Sequence, residues 1–100
     1  MILTTTNSIE DYQILAYRGI VSGTAVNMQK MTLTFSMEKF YEGMSESVSE
    51  VKGKAFAELE ENTEKLNANA VVGISIDIEL TTSNYVMVSI TGTAVSIVKK

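Results

Sequence analysis

The stretch NANAVVGISIDIE, residues 67–79, decides the fold because it joins the end of a helix directly to a strand. Asn67 tolerates the left-handed conformation that closes many helices. A strand is predicted over residues 70–80, where apolar and polar side chains alternate between two faces. The apolar positions are Ile74, Ile76, Ile78 and Leu80, and the polar positions are Ser75, Asp77 and Glu79.

Upstream of this junction the sequence predicts a helix over residues 47–66. Ser47 and Glu50 match the capping-box pattern, in which two side chains satisfy unpaired amides at a helix start. The apolar stripe follows the helical period and consists of Val48, Val51, Ala55, Leu59 and Leu66. Gly53 inside this helix is expected to cost about 1 kcal/mol relative to alanine. The helix is rich in glutamate, which we interpret as a solvated surface rather than a metal-attracting face.

Aromatic and β-branched residues dominate residues 12–26, which predicts one long strand or two strands joined at a bend. A last strand is predicted over residues 85–98. Gly19 and Gly23 interrupt the first, and glycine within a strand often marks a bulge, a bend or a close backbone approach. In the last strand the apolar side chains change parity near Gly92, which predicts a bulge there. Both strands contain the sequence GTAV, which we interpret as a need for curvature in two strands of one sheet.

The segment between the first strand and the helix fits two patterns. Met31, Leu33, Phe35 and Met37 alternate with polar residues, which favours an extended segment over residues 30–37. Helical spacing also fits part of this region, since Phe40, Tyr41 and Met44 lie three or four residues apart. Residues 81–84 are predicted to form a polar turn.

Composition restricts the classes of function. The 100 residues are expected to form a single domain, residues 1–100. Hydrophobic residues make up 45% of the chain, so part of this surface is expected to be buried between subunits, with a well-filled core as the alternative. The chain has no cysteine and no histidine, which excludes disulfides, Ser-His or Cys-His nucleophiles and the preferred ligands of soft metals.

The charge and hydropathy of the chain argue against nucleic acid and membrane as partners. The net charge is −4 and the lysines are scattered, so no basic face for nucleic acid is expected. No segment approaches the ~20 apolar residues of a membrane span, and the first residues do not resemble a signal peptide. We therefore expect a cytoplasmic protein with no membrane partner.

Two small groups of residues are candidates for a site. Asp77 and Glu79 lie two residues apart, so both carboxylates share one strand face and can bind a hard divalent cation such as Mg²⁺ or Ca²⁺. The plainer interpretation is an exposed strand face. Arg18 with Tyr17, and with Tyr12 nearby, are candidates for binding an anionic ligand, because arginine offers a planar donor fork. An intersubunit salt bridge is the plainer role for Arg18.

The chain resembles the YbjQ family, which is described as heavy-metal-binding and whose cellular role is unsettled. The residues that carry the resemblance are MILTTTN at the start, YQILAYRGIVSGTAV, NANAVVGISIDIE and the closing GTAV. The resemblance implies a β-α-β-β fold of the α+β class, with a small antiparallel sheet, one long helix on one face and a dodecin-like two-layer architecture. It also implies a ring-shaped homo-oligomer, most simply a pentamer.

Two departures from the family pattern concern the cap and the middle of the chain. Asn67 stands where relatives have glycine, and residues 28–49 lack the Gly-Gly-Arg-Ser turn of relatives, so no site can be carried over there. The expected function is a non-enzymatic oligomeric binding or scaffold protein, and the cofactor considered is a divalent metal ion. The alternatives are a flavin-like small molecule bound at subunit interfaces and, third, a carboxylate-dependent enzyme.

Overall fold

A computed structural model describes residues 1–28, 37–80 and 85–100. Its elements are β1 (Ile2–Leu3), β2 (Tyr12–Met28), α1 (Met37–Lys65), β3 (Ala70–Leu80) and β4 (Tyr85–Lys99). The strands form one curled sheet in the order β1-β3-β4-β2, and α1 packs on β2 and β4. The α+β class and the β-α-β-β order of the main elements are therefore confirmed.

The sheet is mixed rather than purely antiparallel. β4 pairs antiparallel with both β2 and β3, whereas β1 runs parallel to β3, with Ile2 opposite Ala70. The expectation of an antiparallel sheet is wrong in this one respect. Sequence patterns did not reveal β1 because two residues are too few to show an alternation.

The main core lies between α1 and the sheet. Val51, Ala55, Leu59 and Thr63 follow the helical period and are fully buried. They pack against the sheet residues Val21, Val71, Ile74, Val86, Val88, Ile90 and Ala94. Burial of a side chain such as Leu59 contributes about 2 kcal/mol, so this stripe fixes α1 across β2 and β4.

A second, smaller core lies on the opposite face at the other end of the sheet. It consists of Ala70, Val72, Val95 and Ile97. The N-terminal segment and the start of β2 cover it with Ile2, Ile9, Tyr12 and Ile14. β4 is therefore buried on the helix side up to Ala94 and on the opposite side from Val95 onward.

This change of cover corrects the prediction of a bulge at Gly92. The apolar side chains of β4 shift from even to odd positions because α1 covers one face of the strand and the N-terminal segment covers the other. The extra residue lies in the neighbouring strand, where Gly73 and Ile74 stand opposite Gly92 and the register shifts between Val72 and Ser75. Gly73 has a φ of 62°, which glycine adopts without strain.

The two GTAV glycines serve close approach rather than curvature. A Cβ at Gly23 would meet the backbone of Ala55 and Leu59 in α1. A Cβ at Gly92 would meet the side chain of Val71. Gly19, in contrast, has a φ of 125° and lies at a register shift of β2, as predicted for a glycine that marks a bulge.

The helix is longer than predicted. α1 begins at Met37, so Ser47 lies inside it, is buried, and does not cap its start. A Ser-x-x-Glu pattern also fits a helix interior, which explains the error. The predicted extended segment is wrong at Met37, which is helical; residues 29–36 and the predicted turn over 81–84 lie outside the described residues.

The end of the helix is as predicted. Asn67 has a φ of 57°, in the left-handed region. Its amide donates to the carbonyl of Glu64 at 3.0 Å, and the amide of Ala68 donates to the carbonyl of Thr63 at 3.3 Å. These two bonds form a Schellman motif, which satisfies the last carbonyls and turns the chain into β3.

Candidate functional site

The acid pair lies on the outer half of β3. Asp77 stands opposite Ser89 and Glu79 opposite Met87 on β4, on the sheet face away from α1. Both side chains are exposed, as the alternation predicts. The hydroxyl groups of Ser89 and Thr24 lie 3.3 Å apart on the same face, so the acids adjoin a surface of oxygen atoms.

This donor set suits a hard cation and not a heavy metal. The chain contains no thiolate or imidazole, and those are the ligands that soft and borderline metals prefer. Within the described ranges no three acidic side chains lie close enough together to hold a metal ion. Ca²⁺ takes six to eight oxygen ligands, so Asp77 and Glu79 of one copy supply only part of a coordination shell.

Arg18 and Tyr17 are not brought together at one face. The Arg18 Nε donates to the Ser96 hydroxyl at 2.9 Å, and that hydroxyl donates to the Asn67 carbonyl at 3.2 Å. Tyr17 stands opposite Val95, whose side chain leaves the other face of β4. Arg18 is thus linked through Ser96 to Asn67, the residue that follows and closes α1.

Side chains of α1 close part of the outer edge of β2, which sequence patterns did not reveal. The Asn62 amide donates to the Ser22 carbonyl at 2.9 Å. The Thr24 amide donates to the Glu58 carboxylate at 3.4 Å. Gly23 between them allows the helix backbone to approach. No local signal predicts these contacts, because the partners lie 40 and 34 residues apart.

An open groove of about 470 Å³ lies near the C-terminal end of α1. Its lining combines the apolar residues Ile2, Ala68 and Ile97 with Tyr12 and the acidic Glu64. Asn69 also borders it, but its side-chain amide bonds both the amide and the carbonyl of Ile97, at 2.8 and 3.0 Å. The groove has the size of a small-molecule site and includes Tyr12 but not Tyr17.

These features define a class of protein: a small α+β domain with one helix on a curled sheet and oxygen donors on its open face. A family model described as "Putative heavy-metal-binding" matches residues 1–98. The chain belongs to this family, which is the YbjQ family that the motifs indicated. No helix in the described part of the chain is long and apolar enough to cross a membrane.

Relatives carry the same family assignment and no established function. A UPF0145 protein of Acetivibrio thermocellus is 35% identical, over 97% of this chain and 99% of its own length. A UPF0145 protein of Clostridium botulinum is 37% identical, over 95% and 97%. A solved structure from Pediococcus pentosaceus, of the DUF74 family and of unknown function, has a TM-score of 0.72 at 18% identity and covers 98% of both chains.

Proposed function

We propose that the protein is a non-enzymatic binding protein of the cytoplasm that works as a homo-oligomer, most simply a pentameric ring. The observation that carries this proposal is the apolar surface of β2, one of the two edge strands of the sheet. Leu15, Tyr17 and Ile20 are 62%, 71% and 85% exposed. Tyr17 and Ile20 stand opposite Val95 and Thr93, two residues apart on β4, so they share one face of the sheet. Large exposed apolar side chains that lie together usually mark a protein interface.

Symmetry allows two closed forms of the assembly, a dimer and a ring. A surface that packs on itself gives a two-fold dimer, and a surface that packs on a different part of the next copy gives a ring when the rotation closes. The ring and its five subunits are supported by the family resemblance rather than by the geometry of one chain.

Native mass spectrometry with light scattering tests the assembly. We expect a whole multiple of the 10.9 kDa chain at micromolar concentration. Ile20→Asp places a charge in the apolar surface and should weaken association at least tenfold. Ala57→Asp adds the same charge on the exposed side of α1 and serves as the matched control. A stable monomer of the wild-type chain would contradict the proposal.

We propose further that the assembly binds a hard divalent cation through Asp77 and Glu79. In a ring these carboxylates repeat, which supplies the oxygen ligands that one copy lacks. Calorimetric titration with Mg²⁺ and Ca²⁺ should show binding that Asp77→Ala/Glu79→Ala removes. Glu46→Ala/Glu60→Ala removes two exposed acids of α1 and should leave binding unchanged. Titrations without heat at high protein concentration would exclude this ligand.

The groove near Tyr12 favours a second candidate, storage or sensing of a small molecule such as a flavin. Its volume suits a small ring system, and its described lining offers one aromatic residue, Tyr12, beside apolar and polar groups. Native mass spectra of protein from its own host should then show an added small-molecule mass. Spectra with the bare protein mass would count against this candidate.

A further inference from the structure

The outer edge of β3 is hydrogen-bonded in the first half of the strand and open in the second half. Its first residues are covered: β1 pairs with Ala70 and Val71, and the amides of Gly73 and Ile74 donate to the carbonyls of Thr6 and Thr4 at 2.8 and 3.1 Å. From residue 75 to 80 β4 is the only strand beside β3 in the described part of the sheet.

The backbone of this half of β3 is oriented to receive another strand. The amides of Gly73 and Ile74 both point away from β4 because the two residues form the bulge; beyond it, backbone groups point alternately to the two sides of the strand. The Ile74 amide already points away from β4, toward Thr4. By this alternation the amide and carbonyl groups of Ile76, Ile78 and Leu80 also point away from β4. An open edge of this kind is a template for strand addition.

The side chains specify what kind of strand fits. Ile76, Ile78 and Leu80 are 40%, 46% and 52% exposed, because α1 packs on β2 and β4 and does not cover this half of β3. Asp77 and Glu79 occupy the opposite face and are exposed as well. A complementary segment therefore has apolar side chains on the helix side and positive charges on the other side.

Pairing of two β3 edges with each other is disfavoured. In such a pair Asp77 and Glu79 of one copy would lie beside the same acids of the second copy, and like charges across two strands are destabilising when no cation lies between them. The edge of β2 differs in another way, since Asn62 and Glu58 of α1 already bond its backbone at Ser22 and Thr24. The helix thus closes part of the β2 edge, whereas the β3 edge from residue 75 to 80 stays open in the described part of the chain.

We propose that residues 75–80 are an acceptor edge for an extended segment of another protein in which apolar residues alternate with lysine or arginine. The segment adds to the sheet beside β3 through backbone hydrogen bonds. Its apolar side chains cover Ile76, Ile78 and Leu80, and its basic side chains lie beside Asp77 and Glu79. Backbone bonding provides affinity, and the alternation provides specificity.

Fluorescence anisotropy with synthetic octapeptides at low ionic strength tests this assignment. An alternating Val-Lys peptide should bind at least tenfold more tightly than an alternating Val-Glu peptide. It should also bind at least tenfold more tightly than a peptide of four valines followed by four lysines, which has the same charge without the alternation. Methylation of every second amide, on the edge that bonds β3, should abolish binding.

Charge reversal locates the site. Asp77→Lys/Glu79→Lys should invert the preference, so that the Val-Glu peptide binds better. Glu46→Lys/Glu60→Lys changes the net charge equally on α1 and should leave the preference for Val-Lys in place. Hydrogen exchange should slow at the amides of Ile76, Ile78 and Leu80 when the Val-Lys peptide is present.

Several results would overturn the assignment: equal binding of the block peptide, an unchanged preference in the Asp77→Lys/Glu79→Lys variant, or protection that appears on β2 instead. Dissociation of the homo-oligomer by the peptide would also overturn it, because a second copy would then be the occupant. Native mass spectra of the same samples report assembly separately. Assembly without peptide binding contradicts only this inference, and peptide binding by a monomer contradicts only the proposed assembly.

Discussion

β2 and the second half of β3 both form edges of the sheet and have similar alternating sequences. They differ in how far α1 covers them. On β2 the inward-facing Val21 is buried beneath α1, and Asn62 and Glu58 of the helix bond the strand's edge. On β3 the equivalent apolar row, from Ile76 to Leu80, is left exposed. Alternation therefore indicates which side chains share a face, whereas the position of the helix decides which face is buried.

The largest expected effect concerns the contact that fixes α1 over β2. Gly23→Val would place side-chain atoms against the backbone of Ala55 and Leu59. We expect a loss of about 3 kcal/mol or more in the free energy of unfolding, or a failure to fold. Urea denaturation measures this loss. In Gly53→Ala the added methyl group meets open space, and this control should gain about 1 kcal/mol. A tolerated valine would mean that α1 is free to move away from β2.

A pair of isoleucines measures the difference in cover directly. Ile90 is fully buried under α1, and its cross-strand partner Ile76 is 40% exposed. Ile90→Ala should lower the free energy of unfolding by about 3 kcal/mol through lost burial and a cavity. Ile76→Ala should cost less than about 1 kcal/mol, since less of its surface leaves water. Equal losses in urea denaturation would show that β3 is covered in solution.

Removal of the helix side chains should make the β2 edge resemble the β3 edge. Asn62→Ala and Glu58→Ala should each cost about 1 kcal/mol, because each removes a hydrogen bond to the strand backbone. The Thr24 amide should exchange faster with solvent in Glu58→Ala. Glu60→Ala, on the exposed side of the same helix, is the matched control. Unchanged exchange at Thr24 would indicate that water satisfies this edge equally well.

The smallest expected effects concern charged side chains of the two strands. Arg18→Ala removes the bond to Ser96 that leads to the end of α1, and we expect a loss of about 1 kcal/mol. Asp77→Ala changes an exposed side chain and should stay within about 0.5 kcal/mol. Thermal unfolding at matched salt compares the two variants. A larger loss for Asp77→Ala would mean that the acid of β3 has a structural partner.

The sequence predicted those parts of the fold that depend on local chemistry. Asn67 gave the helix end, and alternation placed Asp77 and Glu79 together on an exposed face. The sequence did not predict the start of α1, because Ser47 and Glu50 match the pattern of a helix start although they lie inside the helix. It also misplaced the bulge, because Gly92 marks the point where the layer covering β4 changes from α1 to the N-terminal segment. That change depends on contacts between distant parts of the chain.

Candidate site residues show the same division. The acid pair was found from spacing on one strand. Arg18 and Tyr17 are adjacent in sequence, but Arg18 lies at the register shift of β2 and bonds Ser96, whereas Tyr17 stands opposite Val95. The closure of the β2 edge by Glu58 and Asn62 depends on how far α1 leans over the strand. A single sequence carries no local signal for that distance.

The pairing of β2 with β4 also has a consequence for how the chain folds. Tyr12 pairs with Lys99 and Met28 with Tyr85, so the two strands meet across almost the whole sequence. Such long-range pairing is slow, whereas every residue pair between the consecutive strands β3 and β4 is closer in sequence than any pair between β2 and β4. During synthesis β2 leaves the ribosome long before β4 exists. α1 is therefore the first described element onto which the apolar side of β2 can collapse, before any sheet has formed around it.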